Sequence, residues 1–154
     1  MKRQFLLKRR KQDEKEVCSH VYGSRYGLHH GSLRPEGRYP QHSSCGPLTG
    51  SAAIYGQAVV NGAELAVEEI NASDSTVKFT FLKQDDEADG EKALNAYNTM
   101  MDWGMQVLVG PTTTGASMAV ADVCNSERTF MITPSASAVD VTAGKDNVFQ
   151  VCFT

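Results

Sequence analysis

The sequence predicts an α/β fold built on a mostly parallel, doubly wound sheet, and three observations carry that reading. Short apolar runs alternate with helix-periodic stretches of about 12 to 15 residues, the pattern of right-handed βαβ crossovers. Each apolar run empties into a loop of Gly, Pro, Thr, Ser or Asp. Two of those loops, residues 110–114 (GPTTT) and 133–137 (TPSAS), follow successive strands and cluster hydroxyl groups where open α/β sheets bind ligands, at the carboxyl ends of the strands.

The elements follow in order. Residues 46–56 (GPLTGSAAIYG) form a Gly-rich loop that runs into a helix over 57–72, with Val59, Ala63, Ala66, Val67 and Ile70 inward and Asn61, Glu64 and Glu68 outward. Small residues on its inner face let it lie close on a sheet. Residues 76–82 (TVKFTFL) alternate as a strand, and Gln84, Asp85, Asp86 and Glu87 form its solvent-facing exit. Asp89 N-caps the next helix, Ala93, Tyr97, Met100 and Met101 share one face of it, and Gly104 stops it. The strand 105–109 (MQVLV) then feeds Gly110 and Pro111. Thr112, Thr113 and Thr114 stand at the start of a helix whose apolar stripe is Ala116, Ala119, Val120, Val123 and Cys124. The strand 129–132 releases Ser135 and Ser137, residues 141–144 turn, and 148–153 (VFQVCF) read as a last strand. A sheet of this kind asks for a strand just before the Gly46 loop. Residues 39–45 read as a poor one, with Pro40 and almost no apolar side chains.

At 154 residues, 41% hydrophobic and 21% charged, the composition is that of a soluble globular protein. Charge divides the chain: residues 1–40 hold ten Lys or Arg against four Asp or Glu, and the remainder holds five against fourteen. Residues 1–45 therefore read as a basic, disordered leader, and a stretch translated in a shifted frame would account for composition, charge and periodicity breaking together. A nucleic-acid arm, or a metal site from Cys18, His20, His29 and His30, is the sharper alternative. The tract lacks any ordered aromatic stacking pattern, and adjacent histidines are poor co-ligands, so neither nucleic acid nor metal is expected. Near the start, the apolar run Phe5, Leu6, Leu7 meets Lys8, Arg9, Arg10 and Lys11, too short for a signal peptide. Cys18, Cys45, Cys124 and Cys152 show no metal-ligand spacing, and the last two read as small core residues.

Catalytic constellations are scarce. Residues 46–154 contain no histidine, so Ser-His or Cys-His nucleophilic chemistry has no base. Asp85, Asp86 and Glu87 could hold Mg²⁺ for phosphoryl transfer, yet no Walker-type Lys stands beside a Gly-rich turn, and the glycines of 46–56 lack dinucleotide spacing. No catalytic residue, metal or cofactor is expected. What remains is Thr112, Thr113, Thr114, Ser135 and Ser137, hydroxyls that donate and accept, beside the free N–H groups of a helix start. Together they could hold a zwitterion. Each could equally be a cap or turn former, and it is the clustering on successive strand ends that favours binding.

These segments carry a resemblance. GPLTGSAAIYGQAVVNGAELAVEEINA, then DDEAD with its helix, VLVGPTTTGASMAVADV, and FMITPSASAVDVT resemble the N-terminal lobe of the periplasmic binding proteins for branched-chain amino acids, the Leu/Ile/Val type that serves ABC transporters. The resemblance spans residues 46–154 and implies an incomplete N-terminal lobe of the type I periplasmic-binding-protein fold, one half of a hinged two-lobed clamp. It implies that Thr114 receives the ligand's carboxylate, that Ser135 and Ser137 hold its backbone groups, and that Tyr55 walls the side-chain pocket. A non-enzymatic, monomeric solute-binding component is implied, periplasmic or anchored as a lipoprotein, with an amino acid as ligand and an ABC permease as partner. The sequence departs from the family in three ways: the first strand and export signal give way to the basic tract, no lipobox precedes Cys45, and the chain ends before a second lobe. Rival readings are a sensing lobe for amides or aromatic acids and, from another class, a Mg²⁺-dependent α/β phosphotransferase whose Asp85 and Asp86 would converge on Thr114.

Overall fold

The computed structural model describes residues 39–153, so the expectations for the basic leader, its histidines and Cys18 lie outside the described residues. Five strands form one sheet: β1 (Gln41–Gly46), β2 (Thr80–Asp85), β3 (Val107–Val109), β4 (Phe130–Thr133) and β5 (Val148–Gln150). All pairings are parallel and the spatial order is β2-β1-β3-β4-β5. The helices are α1 (Ala53–Ala72), α2 (Gly90–Trp103) and α3 (Thr114–Glu127), with a 3₁₀ turn at Val139–Val141 before β5. From β1 the chain steps to one edge of the sheet, then crosses back and builds outward from β3. The direction of winding therefore reverses between β1 and β3, the position at which open α/β sheets in general form a ligand crevice between diverging loops.

β1 corrects the sequence expectation that residues up to Cys45 stand outside the fold. Gln41–Gly46 is the middle of the sheet, paired with β2 along its length and with β3 through His42, Ser43 and Ser44. A strand with neighbours on both sides satisfies its backbone groups whatever its side chains are, and this outweighs weak β-propensity. Ser43, Ser44 and Cys45 are buried, and their small volume lets helices lie close. Ser44 donates its hydroxyl to the Val109 carbonyl at 2.9 Å, so this polar group is satisfied inside. Pro40 sits just before the strand, where its carbonyl accepts from Thr80 N–H.

α2 and α3 lie side by side on one face of the sheet, over a core that includes Tyr97, Met100, Leu108, Val120, Cys124 and Met131. The expected boundaries of α2 hold: Asp89 accepts Lys92 N–H at 2.9 Å, and Gly104 is left-handed at φ 100°. α3 buries a wider face than its predicted stripe, with Ser117 and Ala121 fully inside and Ala119 and Val123 half-buried. Burial pushes the Cys124 thiol up to about 12, which leaves it an inert core residue. Cys152, expected in the core, is only half-buried.

α1 packs on the other face, against β1 and β2. Gly56, Val60 and Val67 are buried, whereas Ala66 and Ile70, expected inward, lie exposed. Over β3, β4 and β5 that face carries no helix among the described residues. Phe130 (40% exposed) and Phe149 (45%) stack there with ring centroids 5.2 Å apart. β2 begins later than the alternation suggested because residues 73–79 close the turn after α1. Asn71 brackets the Phe79 N–H and carbonyl at 2.8 Å each, and Lys78 Nζ donates to the Asn71 and Ser73 carbonyls at the helix end. The last strand also stops earlier than expected, at Gln150.

The acidic run does structural work at the edge where ligands are expected. Asp85, at the end of β2, accepts from Leu48 N–H (2.8 Å), the Thr49 hydroxyl (2.7 Å) and Glu87 N–H (2.9 Å), which pins the Gly46 loop. Burial pushes its carboxyl up, but the Thr49 hydroxyl and the N–H groups of Glu87, Leu48 and Thr49 outweigh that and hold it below its ordinary value. Asp86, expected to face solvent, is fully buried. It accepts from Ala88 N–H at 2.9 Å and stands 3.5 Å from Cys45 Sγ, and burial holds its carboxyl above the ordinary 3.8.

Two predictions follow from this packing. Gly110 has φ 118°, and a Cβ there would collide with the Cys45 carbonyl, so Gly110→Ala should destabilise by more than about 2 kcal/mol. Gly62→Ala on α1, where an added Cβ meets nothing within 4 Å, should stabilise by about 0.5–1 kcal/mol. Urea unfolding of both variants checks this, and equal midpoints would contradict it. The second concerns pH. Folding raises the affinity of Asp86 for its proton, so its contribution to stability is complete below about pH 3.8 and drains away as pH rises through the elevated folded value. Asp85 acts with the opposite sign, its contribution being lost below the ordinary carboxyl range. Asp86→Asn removes the first effect alone. The stability of the wild type relative to this variant should fall from pH 4 toward neutrality in denaturant titrations, and parallel curves would refute the assignment.

Candidate functional site

The site is built where the winding reverses. The loop after β3 bends at Gly110, whose left-handed backbone passes directly over β1 at Cys45, and so α3 starts beside the sheet edge. Thr113 is the N-cap residue in extended conformation, but its side chain makes no capping bond. Among the described residues, the first-turn N–H groups of Thr114, Gly115 and Ala116 thus carry no side-chain cap and point outward at the positive end of a 14-residue helix.

The next loop lies directly beside this helix start. Ser137 N–H donates to Thr114 Oγ1 at 3.3 Å, across a sequence separation of 23. Ala136, between the two serines, is buried, and Ser135 and Ser137 are both exposed. The expected trio of Thr114, Ser135 and Ser137 is therefore brought to one edge. No charged side chain intervenes in residues 110–117 or 133–138. An arrangement of free N–H groups and hydroxyls with no fixed charge can receive a carboxylate at the helix start and an ammonium on hydroxyl or carbonyl oxygens.

Tyr55 stands in the first turn of α1, on the loop of the neighbouring strand β1, and is 63% exposed. Close contact between Gly56 and the Pro47 backbone fixes that turn, since any side chain at Gly56 would strike the Pro47 carbonyl. Thr113 differs from its companions: its hydroxyl is buried and unpartnered, as is that of Thr112, whose Oγ1 lies against Gly46. Asp85 and Asp86 do not converge on Thr114. They are occupied by the Gly46 loop and by Ala88 and Cys45, on the far side of β1. A shallow groove of about 250 Å³ opens at that edge between β2 and α2, lined by Gln84, Asp85, Lys92, Asn95, Ala96 and Thr99, away from the hydroxyl loops. Among the described residues no three His, Cys, Asp or Glu gather as a metal site.

Beneath the exposed hydroxyls lies a second layer that sequence reasoning missed. Thr133 donates to the Pro111 carbonyl at 2.7 Å and accepts Ala136 N–H at 3.2 Å. Ser117 donates to the same carbonyl at 2.9 Å, with its Oγ 3.4 Å from Thr133 Oγ1. On the other side, the Ala136 carbonyl accepts from Gln150 Nε2 (2.7 Å) and Cys152 Sγ (2.8 Å). One sign was available: Ser117 falls on the inward face of a helix, where a polar residue needs a partner.

Comparison with known proteins identifies the family and the fold. Residues 44–154 match the family model described as periplasmic binding protein. The Leu/Ile/Val-binding protein BraC3 of Rhizobium johnstonii is 38% identical over 109 residues, 69% of this chain and 30% of that protein. Leu/Ile/Val-binding protein homolog 3 of Brucella melitensis matches with the same figures. Among solved structures, the branched-chain amino acid transporter substrate-binding protein LivJ of Streptococcus pneumoniae, in complex with isoleucine, superposes with a TM-score of 0.71 at 28% identity, covering 76% of this chain and 34% of that one. A solute-binding protein of an R. palustris ABC transporter, in complex with benzoate, superposes with a TM-score of 0.68 at 26% identity, covering 75% and 33%. The chain thus spans about a third of the length of the proteins it resembles. By the match over residues 44–154, well over half of its length, the chain belongs to the periplasmic binding protein family.

Proposed function

We propose that this chain forms one wall of an amino-acid site of the branched-chain type, in the substrate-binding component of an ABC transporter. The contact between Ser137 N–H and Thr114 Oγ1 at 3.3 Å, set over the uncapped start of α3, carries the reading. The ligand's carboxylate takes the first-turn N–H groups and the Thr114 hydroxyl. Its ammonium takes oxygens of the Ser135–Ser137 loop, and Tyr55 and Thr113 border the space for the side chain. No His, Lys, Asp or Glu stands in residues 110–117 or 133–138 to activate the hydroxyls of this wall as nucleophiles, so the role is binding rather than catalysis. Delivery is to a membrane permease, on the extracytoplasmic side where proteins of this family work. The Mg²⁺ phosphotransferase alternative finds no support in carboxylates that are engaged elsewhere.

A second reading, recognition of an aromatic acid, is favoured by the likeness to the benzoate complex. Both ligand classes present a carboxylate, and only the amino acid presents an ammonium. The two readings therefore share the α3 end of the site and differ at Ser135 and Ser137.

A single wall leaves a zwitterion in contact with water, where hydrogen bonds are weak; a second wall closing over it would exclude water and strengthen them. Calorimetry of this chain with leucine should accordingly show no micromolar binding. Amide NMR at millimolar leucine should shift Thr114, Gly115, Ser135 and Ser137 together, whereas benzoate should shift the first two alone. Micromolar heat would contradict the single-wall energetics, and unmoved Thr114 and Ser137 amides with both ligands would contradict the site.

A further inference from the structure

We propose that Thr133 is the positioning residue of this site: without touching ligand, its hydroxyl sets the distance between the start of α3 and the Ser135–Ser137 loop. The inference rests on the binding role just described. Thr133 ends β4, is fully buried, and sits where three segments meet. Its Oγ1 donates to Pro111 O in the loop before α3, accepts Ala136 N–H from the following loop, and lies against Ser117 Oγ in the first turns of α3.

Both capacities of a hydroxyl are thereby used, the proton toward one ligand loop and a lone pair toward the other. Ser117 braces the same carbonyl from the helix side. Gln150 and Cys152 hold the Ala136 carbonyl from the end of β5, so the peptide groups around Ala136 are fixed on both sides. Residues flanking a buried, twice-held Ala136 have little freedom, and that is how Ser137 N–H comes to Thr114 Oγ1. Removing the Thr133 hydroxyl would leave the Ala136 N–H without its partner in a buried setting, and the loop would have to move to find another.

The chemistry of the side chain separates this role from simple packing. Valine keeps the shape of threonine and loses the hydroxyl; serine keeps the hydroxyl and loses the methyl. In the full chain without ligand, Thr133→Val should speed amide exchange at Ala136 and Ser137 by at least about tenfold and shift the Thr114–Ser117 amides. Thr133→Ser should restore wild-type values at all of these, and amides of α2 should be unaffected in both. In the leucine titration, Thr133→Val should weaken the shifts of Thr114 and Ser137 by about tenfold in concentration, with Thr133→Ser close to wild type. Should Thr133→Val fail to fold, Ser117→Ala, which removes one brace, should give a smaller change at the same amides. A valine variant that behaves as wild type, a serine variant as impaired as valine, or a Ser117→Ala chain with unchanged amides would overturn the proposal. If wild type itself shows no leucine shifts, the binding role fails, while the ligand-free exchange comparison still decides the positioning role.

Discussion

The structure depends on parallel pairing of a polar strand at its centre. Gln41–Gly46 exchanges backbone hydrogen bonds with β2 on one side and β3 on the other, and without it the two would not belong to one sheet. The winding reverses at this strand, so its placement sets the position of the ligand crevice expected between the loops after β1 and β3. Its small side chains matter as much as its backbone. Gly46 leaves room for the Thr112 hydroxyl and for Gly56 of α1, and the Cys45 carbonyl is approached closely by Gly110, which has no side chain to strike it. The two loops that bracket the crevice are thus set by contacts too close for any larger residue.

From that constraint the site assembles in two layers. The outer layer is a helix start with uncapped N–H groups and hydroxyls open to solvent. The inner layer is the set of buried hydrogen bonds running from Pro111 through Thr133 and Ala136 to Gln150. On the proposed role, the inner bonds would limit how far the outer groups rearrange around a ligand, and a site without charged residues would be specific in shape by that means. The same economy appears at Asp85, whose carboxylate spends its bonding capacity on ordering the Gly46 loop and so fixes where α1 begins and Tyr55 stands.

Much of this was legible in the sequence, for definite reasons. The α2 boundaries followed from Asp89 and Gly104, residues with a specific backbone role, and the order of elements followed from the change between helical and strand periods. The adjacency of Thr114 and Ser137 followed from strands of successive crossovers lying side by side. What was not legible depended on neighbours. β1 has no apolar pattern because it is stabilised by two partner strands, and Asp86 is buried because the Ala88 N–H supplies its bond inside. α1 was read as inward along Val59, Ala63, Ala66, Val67 and Ile70, yet it covers only β1 and β2, so part of that stripe remains exposed. Thr133 and Ser117 belong to one network only through the Pro111 carbonyl, a contact that no spacing in the sequence encodes.

The central claim is that the start of α3 and the Ser135–Ser137 loop act as a single receptor for the ionic head of a small solute. The most direct measurement is a crystal structure of the chain grown at saturating leucine. The account predicts the carboxylate on the N–H groups of the first turn of α3 with Thr114 Oγ1, and the ammonium on oxygens of the Ser135–Ser137 loop. Leucine bound elsewhere, or Thr114 and Ser137 separated with solvent-filled space between them, would contradict it.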